Sequence, residues 1–458
     1  LSYYVNLARQ LEKAGCHVLG IKDMAGVCRP RAAAELVRVL RQEVGLPIHF
    51  HTHDTSGASV ATVMAAVAAG VDAADGALDS MSGLTSQPSL NTIVAMLAGD
   101  PRDPKLDPQA LRELADYFEG VRRFYSPFES EIRSGTADVY HHEMPGGQYT
   151  NLREQARAIG LEHRWPEVSK AYAEVNRLFG DIVKVTPTSK VVGDMAIMMV
   201  ANDLTAEDVA DPAREVAFPE SVVSLFRGEL GFPPDGFPEA LGRKVLKDTP
   251  PAPYRPGDRI PPADMDAMRA QAEKEAGQTL AEHDLAAWLM YPKVLNTYWD
   301  HQRRYGDVAA LPTSAFFYGL REHEEISVEL DQGKALLISL QGTTAPDAEG
   351  YVRVFFEING QPRTIRVRKA DAESAAGSHP QAETGNPLHV GAPMPGMVVT
   401  VAVKPGQKVR TGDPLVSIEA MKMESQIRAE RDGTVASVLV ATGQTVAAHD
   451  LLLEYAAD

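Results

Sequence analysis

The sequence predicts a chain of mixed class, α/β in its first part and all-β in its last. Three observations carry this expectation. Residues 1–100 alternate short apolar runs with amphipathic segments, the pattern of parallel strands joined by crossover helices. Residues 313–370 switch to period-two alternation, which reads as antiparallel strands. Residues 388–458 contain an internal repeat, the mark of a small domain built from two similar halves.

Taken in order, Leu1 opens inside an amphipathic helix pattern (Tyr4, Leu7, Ala8, Leu11). A chain seldom starts in the middle of an element, so an N-terminal truncation is expected. Strands are then predicted at Val18–Lys22, Pro47–Thr52 and Val71–Leu78, and helices at Pro30–Val44, Ser59–Ala69 and Leu90–Ala98. Three repeats are too few to close an eight-fold barrel. Either the sheet is open or earlier repeats are missing. Residues 101–250 read mostly as helix, with loops at Pro145-Gly146-Gly147 and Thr186-Pro187-Thr188. Residues 250–310 are Pro-rich at first and then helical. Strands follow at Glu325–Leu330, Ala335–Leu340, Tyr351–Ile358 and Arg363–Arg368, with Asn359-Gly360 as a hairpin turn. Residues 371–387, rich in Ala, Ser, Gly and Glu, read as a flexible linker with an r.m.s. span of roughly 20–25 Å.

The 458 residues are 44% apolar and 23% charged, a globular composition with room for two to four domains. A net charge of −17 argues against nucleic acid and anionic membrane as partners. Two cysteines, Cys16 and Cys28, exclude a disulfide framework and fit a reducing compartment, the cytoplasm. No apolar run has membrane-spanning length and no secretory signal stands out.

In the repeat, Gly396 to Val409 matches Gly433 to Val446, and Asp413-Pro414-Leu415 matches Asp450-Leu451-Leu452 in the same register. Two strand–turn–strand halves imply a quasi-twofold flattened barrel. Lys422, in the run Glu419-Ala420-Met421-Lys422-Met423-Glu424, falls at the hairpin where the halves join. A group carrier needs a long side chain on an exposed turn, and lysine supplies a four-carbon stem and an acylable amine. A lone hairpin lysine is usually only solvated. The whole run, with Ala392-Pro393-Met394-Pro395-Gly396 upstream, resembles the biotin carrier domain of carboxylases over residues 388–458. That resemblance implies covalent biotin on Lys422, attached by a biotin protein ligase.

His51-Thr52-His53-Asp54 ends a predicted strand. Alternate strand residues face one side, so His51 and His53 can converge, and imidazole is a common ligand of borderline metals. Taken alone, such a pair is more often packed and hydrogen-bonded. Lys22 ends the preceding strand at the equivalent height, where a salt bridge to a carboxylate is the simpler reading. Val185-Thr186-Pro187-Thr188-Ser189-Lys190 reads as a polar loop entering a helix, where ordinary N-capping is the simpler role. His141-His142-Glu143 reads as surface or packing, since adjacent histidines in a loop seldom converge.

Together, Gly20-Ile21-Lys22-Asp23-Met24-Ala25-Gly26, Phe50 to Thr55, Asp75-Gly76-Ala77 and Pro145 to Asn151 resemble the carboxyltransferase domain of the pyruvate carboxylase family. The resemblance implies the C-terminal part of a TIM-type barrel with a helical extension over residues 1–250. It implies Lys22, as N6-carboxylysine, holding a divalent metal (Mn, Zn or Mg) with His51 and His53. It makes Thr186 the proton shuttle between biotin and pyruvate, with Ser189 and Lys190 lining the biotin pocket. The family's remaining metal ligand and its pyruvate-holding residues belong to strands expected before Leu1. Tyr291 to Val294, Tyr305 to Asp307, Ala315 to Leu320 and Val354 to Pro362 resemble the family's α+β tetramerisation (allosteric) domain, placed at residues 251–370. The implied reaction is carboxyl transfer from carboxybiotin to pyruvate, giving oxaloacetate, in a homotetrameric enzyme. A non-catalytic carrier and oligomerisation fragment, or an oxaloacetate decarboxylase or transcarboxylase subunit, are the alternatives.

Overall fold

A computed structural model describes residues 1–247, 254, 256–347, 349–369, 380–383, 386–393, 395–420 and 423–456. The chain divides into two compact units, Leu1–Asp258 with His379–Asp458, and Arg259–Ser378.

The first unit opens with α1 (Ser2–Lys13), β1 (Leu19–Asp23), α2 (Pro30–Glu43), β2 (Ile48–Thr52), α3 (Ser59–Ala69) and β3 (Ala73–Ala74). The strands form a parallel sheet in the order β1-β2-β3. Strand β2 reads Ile-His-Phe-His-Thr, and its two faces part at once. Ile48, Phe50 and Thr52 are fully buried, the first two in a cluster with Ala33, Val37 and Leu40 of α2 and Val63 and Ala66 of α3. His49 and His51 take the opposite face, and the register sets Lys22 beside His51. Asp23 then ties the strand ends together: its carboxylate accepts from the Val27 and Cys28 amides and the Thr52 hydroxyl.

Strand β3 corrects the expectation of a long strand at Val71–Leu78. Only Ala73 and Ala74 pair with β2, and two further bonds run from the Asp72 amide to the Ile48 carbonyl and from the Asp75 amide to the Phe50 carbonyl. The run Asp72-Ala73-Ala74-Asp75-Gly76 has no β-branched residue to hold a pleated surface. Gly76 instead lets the chain pass close to Leu90, whose Cα would lie 3.0 Å from an added Cβ.

Helices α4 (Leu90–Leu97), α5 (Pro108–Tyr125), α6 (Val139–His142), α7 (Gly146–Ala158), α8 (Trp165–Leu178), α9 (Thr188–Ala201), α10 (Ala206–Ala210), α11 (Glu220–Phe226) and α12 (Glu239–Leu246) follow. Helix α9 is the hub of this part, because its residues from Val191 to Val200 are all buried. They pack with Leu152, Tyr172, Phe179, Leu225 and Phe226. Pro145-Gly146-Gly147, expected as a loop, is the start of α7: Pro145 is its N-cap and Gly146 its first residue.

The second unit contains α13 (Met265–Ala276), α14 (Glu282–Met290), α15 (Pro292–Tyr305) and α16 (Thr313–Tyr318). An antiparallel sheet follows: β4 (Glu325–Asp331), β5 (Lys334–Thr343), β6 (Tyr351–Ile358) and β7 (Gln361–Arg368). Asn359 and Gly360 both take positive φ, +48° and +77°, as a two-residue hairpin with right-handed strand twist requires.

Among the described residues, eight strands complete the first unit: β8 (His389–Gly391), β9 (Gly396–Val401), β10 (Lys408–Val409), β11 (Pro414–Ala420), β12 (Met423–Arg428), β13 (Gly433–Val438), β14 (Thr445–Val446) and β15 (Leu451–Tyr455). They form two sheets, β10-β13-β15-β8 and β12-β11-β9-β14. The repeat appears as a reciprocal exchange. Gly396 of β9 pairs with Val446, and Gly433 of β13 with Val409. Gln407 and Gln444 close the matching turns by accepting from the Lys404 and Ala441 amides. Asp413 and Asp450 do the same for Arg410 and Ala447. The end of the expected linker is ordered: Gln381 bridges Asp450, and the Ala382 amide donates to the His449 carbonyl. Residues 370–379, 384 and 385 lie outside the described residues.

Gly396 lies where a Cβ would meet Ile418 Cγ2 at 2.5 Å and the Glu419 carbonyl oxygen at 2.7 Å. Gly396→Ala should therefore destabilise this domain by about 1–3 kcal/mol through overpacking, read as a lower midpoint in urea denaturation.

Candidate active site

The exposed face of the parallel sheet gathers the chemistry. His51 Nδ1 lies 2.7 Å from Asp75 Oδ2, and His49 Nε2 lies 2.7 Å from Asp75 Oδ1. His53, one residue past β2, donates from Nδ1 to the Thr85 carbonyl at 2.7 Å. The two Nε2 atoms lie 3.4 Å apart. These two imidazoles are ligand types that would suit a divalent metal. Burial holds His53 below the usual histidine pKa, against the opposing effect of the bond to Thr85, so its ring stays neutral and able to ligate. Partial burial works to raise the Asp75 pKa, but the bonds from His49 and His51 outweigh it and leave the carboxyl low.

Glycines hold His53 in place. A Cβ on Gly146 would lie 2.5 Å from the Thr85 carbonyl oxygen and 2.7 Å from His53 Nδ1. One on Gly26, which has φ +70°, would lie 2.1 Å from the His53 carbonyl oxygen. That oxygen also accepts from Ser59 Oγ at 2.5 Å. Only glycine fits between these neighbours, which accounts for two of the sequence motifs.

Among the described residues no group of three His, Cys, Asp or Glu side chains is placed to hold a metal. Lys22 stands next to His51 in strand register.

The Thr186 segment joins this region through α7. Gly146, its first residue, touches His53, and Gln148 packs against Gly193 in α9. Thr186 is exposed and joined to Pro187 by a cis peptide. Ser189 is buried, and Lys190 is half-buried with its Nζ 2.6 Å from Asp194 Oδ2. Asp194 is buried and also accepts from Ser221 Oγ at 2.7 Å. Thr188, not Thr186, makes the local hydroxyl contacts, to the Val183 and Val185 carbonyls. Lys422, Met421 and Met394 lie outside the described residues; the flanking Ala420 and Met423 pair across β11 and β12.

His141 is exposed and His142 is a packing residue. The His142 ring stacks on Tyr149 at 5.2 Å, and its Nδ1 accepts from the Met144 amide. Sequence reasoning gave no role to Asp75, Thr85 or Asp194. Lys190 and Asp194 are spaced i,i+4 on a helix, which was a usable signal. Thr85 and its carbonyl carried none.

Residues 1–118 match the HMGL-like family model, residues 139–339 the conserved carboxylase domain, and residues 388–454 the biotin-requiring enzyme domain. The class defined by this fold and site is the biotin-dependent carboxylases, whose cofactors are covalent biotin and a divalent metal. Within that class, the chain belongs to the pyruvate carboxylase family and corresponds to its C-terminal part. It is 44% identical to the pyruvate carboxylase of Bacillus subtilis over 99% of this chain and 40% of that protein. It is similar to the complete multifunctional pyruvate carboxylase from Rhizobium etli, at 54% identity and TM-score 0.74, covering 99% of this chain and 42% of that one. It is also similar to the carboxyl transferase domain of the Rhizobium etli protein solved with pyruvate and biocytin, at 54% identity and TM-score 0.76. That match covers 81% of this chain and 62% of that one. The chain thus spans about 40% of the length of the curated relatives it matches.

Two predictions come from this geometry. Gly146→Ala should displace His53 and weaken Mn²⁺ binding roughly 10–100-fold, measured by electron paramagnetic resonance titration of the free ion. Burial pushes the His142 pKa down to about 4 from 6.5. The unfolded chain takes up that proton more readily, so this contribution to stability is complete above pH 6.5 and is lost as pH falls towards 4. The loss amounts to about 3 kcal/mol, and urea denaturation across that window should show a shallower pH slope in His142→Phe.

Proposed function

We propose that this chain passes a carboxyl group from biotin on Lys422 to pyruvate, giving oxaloacetate. The observation that carries the reading is the pair of imidazole Nε2 atoms aimed at one point, with Lys22 beside them in strand register. Lys22, as N6-carboxylysine, His51 and His53 would hold a divalent metal. Such an ion polarises a carbonyl and stabilises the developing enolate. The other ring nitrogens of His51 and His53 are already bonded, which leaves Nε2 of each ring as the atom that would meet the metal. Thr186 carries a proton at its hydroxyl between the pyruvate methyl group and the ureido nitrogen of biotin. Ser189 and Lys190 line the biotin pocket, and the buried Asp194 keeps the Lys190 ammonium oriented.

The antiparallel sheet of the second unit supports the carboxylase reading over a decarboxylase or transcarboxylase subunit. It matches the region that the sequence assigns to tetramerisation, so a homotetramer is the proposed assembly. A biotin protein ligase is the proposed modifying partner. No helix among the described residues is long and apolar enough to cross a membrane. The free thiols of Cys16 and Cys28 suit a cytoplasmic setting.

The test is oxaloacetate decarboxylation by the purified, biotinylated chain. Lys22→Ala should lower the rate roughly 100-fold or more, and Lys422→Arg should abolish capture on avidin. Capture without any wild-type activity would assign this chain the carrier and assembly role instead.

A further inference from the structure

Asp75 stands at the end of the shortest strand of the parallel sheet, and both its carboxylate oxygens are committed. Oδ1 faces His49 Nε2 and Oδ2 faces His51 Nδ1, each at 2.7 Å. The register explains why. His49 pairs with Ala73 and Phe50 with Ala74, so Asp75 comes level with His51 and within reach of His49 on the same face. A carboxylate anchored at one oxygen by a neighbouring ring has little freedom to rotate. It therefore offers Oδ2 to His51 in one fixed direction.

We propose that Asp75 is a positioning residue for the metal centre: it holds His51 as the Nδ1–H tautomer and so aims the Nε2 lone pair at the point that His53 Nε2 also faces. The chemistry allows only this direction for the bond, because an ionised carboxylate accepts and cannot donate. His49 is the second anchor and needs no metal contact of its own. Carboxylate support behind a ligating histidine fixes both ring orientation and basicity. The inference rests on the metal-centre reading of His51 and His53. A purely structural role is the competing account, since β2 and β3 pair over only two residues and the two bonds would staple them together.

The experiment uses the full chain labelled with ¹⁵N-histidine, with His51 assigned through a His51→Gln variant. Long-range ¹H–¹⁵N spectra report the tautomer, and Mn²⁺ titration by electron paramagnetic resonance reports affinity. Wild type should show His51 protonated at Nδ1. Asp75→Ala should lose that bias and raise the Mn²⁺ Kd roughly 10–100-fold. Asp75→Asn keeps the shape but can accept from only one of the two rings, so it should also weaken binding. His49→Gln should weaken it less, because Oδ2 still serves His51. If Asp75→Ala lowers stability while tautomer and Kd stay at wild-type values, the staple account stands and the positioning role is overturned. If wild type binds no Mn²⁺, the metal-centre reading fails first and this inference fails with it.

Discussion

Everything at the site depends on the period-two alternation of a single strand. In Ile48-His49-Phe50-His51-Thr52, the odd partners of each pleat have nowhere to go but the core, where Ile48 and Phe50 have no exposed surface. Burying two such side chains is worth about 3–6 kcal/mol. A one-residue slip would turn them out and turn two imidazoles in. The hydrophobic term therefore fixes which way the histidines point. The polar contacts only refine a direction already chosen. Lys22 inherits its place from the same constraint, because parallel pairing with β2 leaves it level with His51.

Refinement happens around His53, which has no strand of its own to hold it. Its ring is held by the Thr85 carbonyl, its own carbonyl by Ser59, and its flanks by Gly26 and Gly146. These contacts come from four separate stretches of chain. Such crowding gives up side-chain volume at both glycines in exchange for a ring that cannot swing. The same close approach carries α7 onto the sheet, and α7 in turn packs against α9 through Gln148 and Gly193. The Thr186 segment is thus tied to His53 through packed backbone, though far from it in sequence.

This explains what the sequence could and could not reveal. The helices and strands around the sheet were readable because apolar residues recur at fixed periods there, as in Ser59–Ala69, which appears as expected. The carrier halves were readable because the repeat preserved Gly396 and Gly433, Gln407 and Gln444, Asp413 and Asp450, each pair doing the same job in the fold. His51 and His53 were readable as neighbours on one side of a strand. Asp75 was not, because its role depends on the register of a strand whose Ala-Ala run carries no periodic signal. Gly146 looked like a loop residue because Pro-Gly-Gly usually marks one. Its requirement to be glycine comes from a tertiary neighbour, which local sequence does not encode.

The two histidines are also supported differently, and the difference has an electrostatic consequence. His53 rests on a neutral carbonyl, whereas His51 rests on an anionic carboxylate. A divalent cation held by the two rings meets neutral donors, so its charge must be balanced from elsewhere. Asp75 supplies one negative charge a single ring away, and the proposed carboxylated Lys22 would supply a second in direct contact. An uncarboxylated Lys22 would do the reverse, setting a third positive charge beside the dication at the same height on the sheet. On the proposed reading, carbon dioxide addition to Lys22 and metal binding at His51 and His53 would therefore be coupled, since each would remove the electrostatic obstacle to the other.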